Sequence, residues 1–246
     1  MCYHNSLEAT PEELEIRYNR PMANSLFEPI YHTTSFPSKK GDDVNFVKWP
    51  VIALHEPDAI QMFYWGFIPP HYTNSIAAYD WLKQYPTYNA KGEELATKRT
   101  YAPALKELRR CLVPSTGFFE YHHNGAIKTP YFIHLKDSKI FSMAGLYSHW
   151  GDEHTGDSFG TFSIITCAAN PMMEYIHNTK KRMPVILSPD DEATWLDYDT
   201  PPTIIQNLIK PYPQSQMQAH TVGNKLWNQP LVAQKVEYTG LQAFNG

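Results

Sequence analysis

The order of strand-like and helix-like segments most constrains the fold of this chain. Apolar runs that read as strands, several with period-two alternation, lie at 45–54, 59–67, 116–121, 130–135, 139–147, 161–168 and 183–187. They outnumber the helix candidates and do not alternate regularly with them. The pattern predicts an α+β fold, mainly antiparallel sheets in a barrel-like core with short flanking helices, rather than a doubly wound fold.

Helices are predicted where a capping residue precedes a proline. Thr10, Asn170 and Ser188 each stand directly before a proline, and Glu13 completes a capping-box pattern after Thr10. Further helix candidates lie at 76–85, 101–110 and 201–210. All are short, which suits helices that flank a sheet.

Composition limits the class of protein. The 246 residues contain no repeat or linker, so one domain over 1–246 is expected, with little recognisable chemistry from about residue 200 onward. The net charge of −4 argues against coating duplex DNA but permits a local basic groove. Without a signal segment or a membrane-length apolar run, the expected location is the cytoplasm.

Cysteine usage also favours a reducing compartment. Cys2, Cys111 and Cys167 give neither a disulfide framework nor a metal-binding pattern. Cys111 and Cys167 sit in apolar strand patterns, which is typical of core thiols. Cys2 differs, because removal of Met1 would leave a thiol beside a free α-amine, two nucleophiles with accessible forms near neutral pH. The alternative for Cys2 is a loose terminal tail.

Three other polar residues stand in otherwise apolar surroundings. Glu120, in the stretch GFFEY, is a candidate for proton transfer if burial raises its pKa, or else an exposed or ion-paired side chain. His177 is a candidate acid or base, or else a surface histidine at a helix end. Asn89 precedes Lys91 and Glu93 at alternate positions, so an extended segment would turn all three one way, unless this is a solvated loop.

Together these stretches resemble the SOS-response-associated peptidase (SRAP) family, whose members shield abasic sites. The matching segments are Met1-Cys2, WGFIP at 65–69, NAKGE at 89–93, RCLVPSTGFFEY at 110–121, SIITCAAN at 163–170 and IHNTKKRMPVIL at 176–187. Their order and spacing cover the chain up to about residue 190.

The resemblance implies a covalent reaction with DNA. Once Met1 is removed, by self-cleavage or by an aminopeptidase, the Cys2 amine would attack the aldehyde of an abasic site in single-stranded DNA. The Cys2 thiol would then close a thiazolidine ring, an intramolecular and therefore fast step.

The resemblance also implies roles for individual residues. Glu120 would handle protons at the amine, His177 would act on the opened sugar, and Asn89 would hold the sugar or the Cys2 end. DNA contacts would come from Trp65, stacking on bases, and from cationic or polar side chains: His4, Lys91, Lys180, Lys181 and Arg182. At two of these positions, His4 and Lys91, many family members have arginine.

The resemblance further implies a monomer that needs no metal or organic cofactor and associates with the nucleoid when bound to DNA. Two other functions stay open from the sequence. One is an N-terminal-nucleophile peptidase or amidohydrolase, in which Cys2 attacks an amide with its own amine as the base. The other is a non-catalytic binding module with an inert Cys2.

Overall fold

The structure is a computed structural model, and it describes residues 2–23, 27–153 and 155–244. Met1, whose removal the proposed chemistry requires, lies outside the described residues. The strands are β1 His4–Leu7, β2 Ile30–Thr34, β3 Ser38–Lys40, β4 Asp43–Asn45, β5 Lys48–Ala53, β6 Gln61–Trp65, β7 Asn89–Lys91, β8 Arg110–Ser115, β9 Gly117–Asn124, β10 Ile127–Leu135, β11 Phe141–Gly151, β12 Ser158–Ala168, β13 Arg182–Pro184, β14 Ile186–Leu187 and β15 Met217–Thr221. The helices are α1 Pro11–Tyr18, α2 Ser75–Gln84, α3 Ala102–Lys106, α4 Pro171–Ile176, α5 Pro189–Trp195 and α6 Pro202–Leu208.

The larger sheet closes on itself. Strands β12, β6, β5, β8 and β11 pair in that order, and β11 pairs back with β12. This ring is a five-stranded barrel, to which β7, β13 and β14 add at the edges. Apart from the parallel pairings of β12 with β6 and β7, the ladders are antiparallel. The predicted α+β class with a barrel-like core is confirmed.

The second sheet holds the chain's first strand in its interior. Its order is β15-β10-β9-β1-β2, so β1 is hydrogen-bonded on both sides, to β9 and to β2. The chain passes directly from β8 of the barrel into β9 of this sheet. At that crossing Gly117 is required, because a Cβ there would collide with the Phe132 ring and lie 2.9 Å from the Ile133 carbonyl oxygen.

The predicted helix starts are confirmed by their caps. The Thr10 hydroxyl accepts from the Glu13 backbone N–H while the Glu13 carboxylate accepts from the Thr10 N–H, and Asn170 and Ser188 cap α4 and α5 through their side chains. Sequence reasoning did not predict β1, β2 or β15.

The core between the layers is rich in large rings and contains one buried guanidinium. Trp49, Trp65, Trp150 and Trp195 are fully buried. The Arg110 guanidinium lies over the Trp195 ring and donates from Nε to the Trp195 carbonyl (2.8 Å) and from Nη2 to the Asp197 carbonyl (2.7 Å). These bonds tie the end of α5 to β8, so the arginine of the RCLVP stretch has a structural role. Cys111 and Cys167 are buried free thiols, as predicted.

Candidate active site

Cys2 is buried just before β1. Its side chain is only 1 % exposed. Its carbonyl oxygen accepts a hydrogen bond from Asn89 Nδ2 at 3.0 Å, and its Sγ lies 3.8 Å from the His4 carbonyl oxygen. Burial raises the pKa of the Cys2 thiol well above its usual range, and the charge of Glu120 raises it further. Cys2 is therefore not a loose tail, and its thiol is protonated at neutral pH.

Glu120 projects from β9, the strand that pairs with β1. The backbone of β9 fixes its position, since Glu120 lies opposite Tyr131 of β10. The side chain is buried, and desolvation raises the pKa of this carboxyl from 4.5 to about 7. Glu120 therefore populates both protonation states near neutral pH, which is the condition for efficient proton transfer.

His177 follows α4 and faces Glu120. Its Nδ1 lies 3.0 Å from the Arg182 carbonyl oxygen, and because a carbonyl only accepts, Nδ1 carries the hydrogen. Nε2 then presents a lone pair, 3.9 Å from Glu120 Oε2. Burial lowers the pKa of His177 to about 4, so at neutral pH this contact joins a neutral imidazole and a carboxyl rather than two opposite charges.

Asn89 enters the site from the barrel side. It begins β7, which pairs in parallel with β12, and its carbonyl oxygen accepts from the Tyr101 hydroxyl at 3.2 Å. While Nδ2 holds the Cys2 carbonyl, the Oδ1 atom is buried and meets no hydrogen-bond donor among the described residues. An orphaned acceptor of this kind is costly unless a ligand or water satisfies it.

Four residues far apart in sequence therefore meet at one place. They are Cys2 just before β1, Asn89 at the start of β7, Glu120 in β9 and His177 at the C-terminal end of α4. This is the set that the sequence predicted as catalytic. The chemistry available there is a thiol, a carboxyl poised near neutrality, a lone-pair acceptor and an amide.

The predicted basic contacts lie around this centre but are unequally available. Lys180 and Lys181 are exposed. Lys91 is also exposed and pairs with Glu94 at 2.7 Å. Arg182 points its guanidinium at both carboxylate oxygens of Glu93, one of them at 2.8 Å. Glu93 itself lies in a 3-10 turn, since the extended segment ends at Lys91.

Two other predicted DNA contacts are placed differently from expectation. The prediction that Trp65 stacks on DNA bases is wrong. Trp65 is 1 % exposed, and its indole stacks on Phe162 and donates from Nε1 to the Tyr88 carbonyl at 3.0 Å, so no base can reach it. His4 stacks on His32, with His4 Nδ1 and His32 Nε2 3.0 Å apart. Burial lowers the pKa of both histidines to about 4.

Sequence reasoning missed an aromatic cluster beside Cys2. Tyr3, Phe36 and Tyr88 contact one another with ring centroids 5.3–6.1 Å apart, and Phe36 remains half exposed. The neighbouring His32 was missed as well. Alternation in YHTTS at 31–35 was the available signal, but it is short and polar.

Metal ligands and membrane spans can be assessed for the described ranges. Within them, no three or more His, Cys, Asp or Glu side chains are grouped so as to hold a metal ion. Among the same residues, no helix has the length and apolarity needed to cross a bilayer.

Comparison with known proteins places this arrangement in a family. A solved structure of a protein from Bacteroides thetaiotaomicron superposes with a TM-score of 0.85 at 36 % identity, over 96 % of this chain and all of the other. Abasic site processing protein YoqW of Bacillus subtilis is 36 % identical over 172 residues, 68 % of this chain and 70 % of the relative. Abasic site processing protein HMCES of Gallus gallus is 29 % identical over 60 % of this chain and 48 % of the relative. The family model described as SOS response associated peptidase (SRAP) matches residues 1–229, and the chain belongs to that family.

Proposed function

We propose that this protein binds abasic sites in single-stranded DNA and forms a thiazolidine crosslink through Cys2 once Met1 is removed, shielding the lesion. The observation that carries the proposal is the burial of Cys2 against Asn89 and Glu120, with His177 facing that carboxyl. The names of the relatives, abasic site processing proteins, support the substrate class.

The first step makes an imine. The unprotonated Cys2 amine adds to the C1′ carbonyl of the ring-opened sugar, and the resulting carbinolamine loses water. Glu120 accepts a proton as the amine adds and returns one to the departing hydroxyl. A carboxyl with a pKa of about 7 serves both directions at neutral pH.

The second step closes the ring. The Cys2 sulfur bonds to the imine carbon while the thiol proton passes to the nitrogen. The thiol needs a base, because burial keeps it protonated, and Glu120 is close enough for its charge to raise the thiol pKa. Both reacting groups belong to one residue, so the closure is intramolecular.

His177 and Asn89 orient the sugar and the reactive terminus. The lone pair on His177 Nε2 accepts a hydrogen bond from the opened sugar hydroxyl. Because the pKa of His177 is lowered to about 4, the ring is neutral at pH 7 and acts as a hydrogen-bond acceptor rather than as an acid. Asn89 fixes the Cys2 carbonyl and leaves Oδ1 to accept from the substrate. Lys91, Lys180 and Lys181 contact phosphates, and Arg182 does so when it leaves Glu93.

The alternative, a cysteine hydrolase, fits the site less well. Nucleophilic cysteines of hydrolases work as thiolates with lowered pKa values. At Cys2 the pKa is raised by burial and by a neighbouring carboxyl. A thiol in that state suits addition to a bound imine, with a base beside it, better than attack on an amide.

The test is incubation of purified protein with single-stranded DNA that contains one abasic site, followed by a denaturing gel. Wild type gives a heat-stable adduct, and Cys2→Ala gives none. Cys2→Ser is the matched control: it keeps the α-amine, so borohydride traps an imine, but it cannot close the thiazolidine and its adduct does not survive heating without reductant. A heat-stable adduct with Cys2→Ala would refute the proposal.

A further inference from the structure

Trp227 is a large exposed ring in the C-terminal part of the chain. It lies in the segment that follows β15, residues 222–236, which we call the C-terminal strap. Its side chain is 59 % exposed, whereas Trp65 is buried in the core. Among the described residues, no hydrogen bond or ring contact engages the Trp227 indole, so this ring is free to stack on a ligand.

The strap is fastened to the sheet at the residue after Trp227. Asn228 Oδ1 accepts hydrogen bonds from the backbone N–H groups of Tyr31 (2.9 Å) and His32 (3.2 Å) on the edge strand β2. Further along, His220 Nε2 donates to the Ala233 carbonyl at 2.7 Å. These anchors fix where the indole stands.

Three successive contacts link the anchor point to Cys2. Asn228 binds the His32 backbone, and the His32 ring is hydrogen-bonded to His4 at 3.0 Å. The His4 carbonyl in turn lies 3.8 Å from Cys2 Sγ. The strap is therefore connected to Cys2 through two intermediate residues, His32 of β2 and His4 of β1.

Charge at the strap suits a nucleic acid. Lys225 is exposed two residues before Trp227, and no ion pair within the described ranges engages it. An aromatic face next to a free cation is the combination with which proteins hold single strands, since the ring stacks on a base and the cation meets a phosphate.

We propose that Trp227 stacks on a nucleobase near the abasic residue and that Lys225 contacts the adjoining phosphate, so that the strap aligns single-stranded DNA over Cys2. This assignment rests on the proposed function. It gives the chain a base-stacking residue on the strap, in place of the buried Trp65.

A cycle of changes in protein and DNA tests the assignment. Trp227→Ala raises the DNA concentration for half-maximal crosslinking about tenfold, and Trp227→Phe restores most of it, as expected for stacking. Replacing flanking bases one at a time with a base-free tetrahydrofuran residue then identifies the stacked base: at that position wild type and Trp227→Ala become equal. Leu231→Ala is the control, because Leu231 is 77 % exposed on the same strap.

A binding measurement separates this inference from the crosslinking chemistry. In the Cys2→Ala background, DNA with a tetrahydrofuran site quenches tryptophan fluorescence, and Trp227→Phe abolishes the quench. If wild type forms no adduct but the quench survives, the proposed function fails and the strap assignment stands. Equal DNA binding by wild type and Trp227→Ala, or a Trp227→Ala effect on self-association instead of DNA binding, would overturn the inference.

Discussion

The reactive centre and the basic stretch at 180–182, which begins three residues after His177, are built in opposite ways. Cys2, Glu120 and His177 are buried. Burial raises the pKa of Cys2 and Glu120 and lowers that of His177, so it favours the neutral form of each group. Lys180 and Lys181 are exposed, and Arg182 has its charge matched by Glu93. Under the proposed function, this contrast predicts a division of labour: the buried centre would set the crosslinking rate, and the basic residues Lys180, Lys181 and Arg182, here called the rim, would set the affinity for DNA.

The largest expected effect tests the first half of that division. Glu120→Gln keeps the shape but removes the base, so the crosslinking rate at saturating DNA falls roughly 100-fold or more, as for loss of a general acid–base. Single-turnover kinetics on denaturing gels measure it. Glu8→Gln, at an exposed carboxylate just after β1, is the control and leaves the rate unchanged. A rate within threefold of wild type for Glu120→Gln would remove Glu120 from the chemistry.

The same substitution, although it slows the reaction, is expected to raise the stability of the fold above neutral pH. Because the folded pKa of Glu120 is raised from 4.5 to about 7, its contribution to stability is full below pH 4.5 and disappears as the pH rises through 7. Glu120→Gln is therefore the more stable protein at pH 8, by up to roughly 3 kcal/mol relative to the difference at pH 4. Urea unfolding at both pH values measures this, and a pH-independent difference would contradict the burial of a titrating carboxyl.

Asn89 should give an intermediate effect. Asn89→Ala removes the hydrogen bond to the Cys2 carbonyl, an interaction worth about 1 kcal/mol, so the crosslinking rate falls about tenfold or less. Asn178→Ala, which removes the two bonds between this amide and the His123 backbone but none to Cys2, is the comparison. An equal fall in rate in both variants would mean a general weakening of the fold.

The rim should affect affinity and its salt dependence. Lys180→Gln and Lys181→Gln each raise the half-saturating DNA concentration a few-fold. Removing one phosphate-binding cation also lowers the slope of log K against log salt by about 0.7 for a single strand. Titrations of Cys2→Ala protein at several salt concentrations measure both quantities. A slope identical to that of the parent would exclude these lysines from phosphate binding.

The smallest effect concerns the matched charge at Arg182. Glu93→Gln removes the carboxylate that neutralises the guanidinium, while the bonds from Arg182 to the Thr166 carbonyl and hydroxyl still hold it in place. The unmatched charge then attracts phosphate, and DNA affinity rises about two- to threefold at low salt. The gain disappears in the double variant that also carries Arg182→Gln. Weaker binding by Glu93→Gln would show that the pair positions Arg182 rather than withholding it.

Local chemistry explains what the sequence predicted well. The caps at Thr10, Asn170 and Ser188 act within one helical turn, so their helices could be predicted directly. The four candidate catalytic residues stood out as polar positions in apolar stretches, and the family resemblance assigned their roles. The burial of Cys2 and Glu120 supplies a physical basis for those roles.

Long-range pairing explains what the sequence could not predict. Strands β1 and β2 are short and polar, and they exist because neighbouring strands supply their hydrogen bonds. Trp65 ends a strand, and nothing local distinguishes a core indole from a surface one. The pairing of Arg182 with Glu93 joins residues far apart in sequence.

The interior position of β1 has a mechanical consequence. A DNA strand joined to Cys2 would pull along the axis of a strand that is bonded to neighbours on both sides. Such a load acts in shear, so the ladder bonds share the force and must yield together rather than one after another. A motor tracking along the DNA would meet an anchor that resists peeling, and detachment would begin with the chemistry of the linkage rather than with unravelling of the protein's first residues.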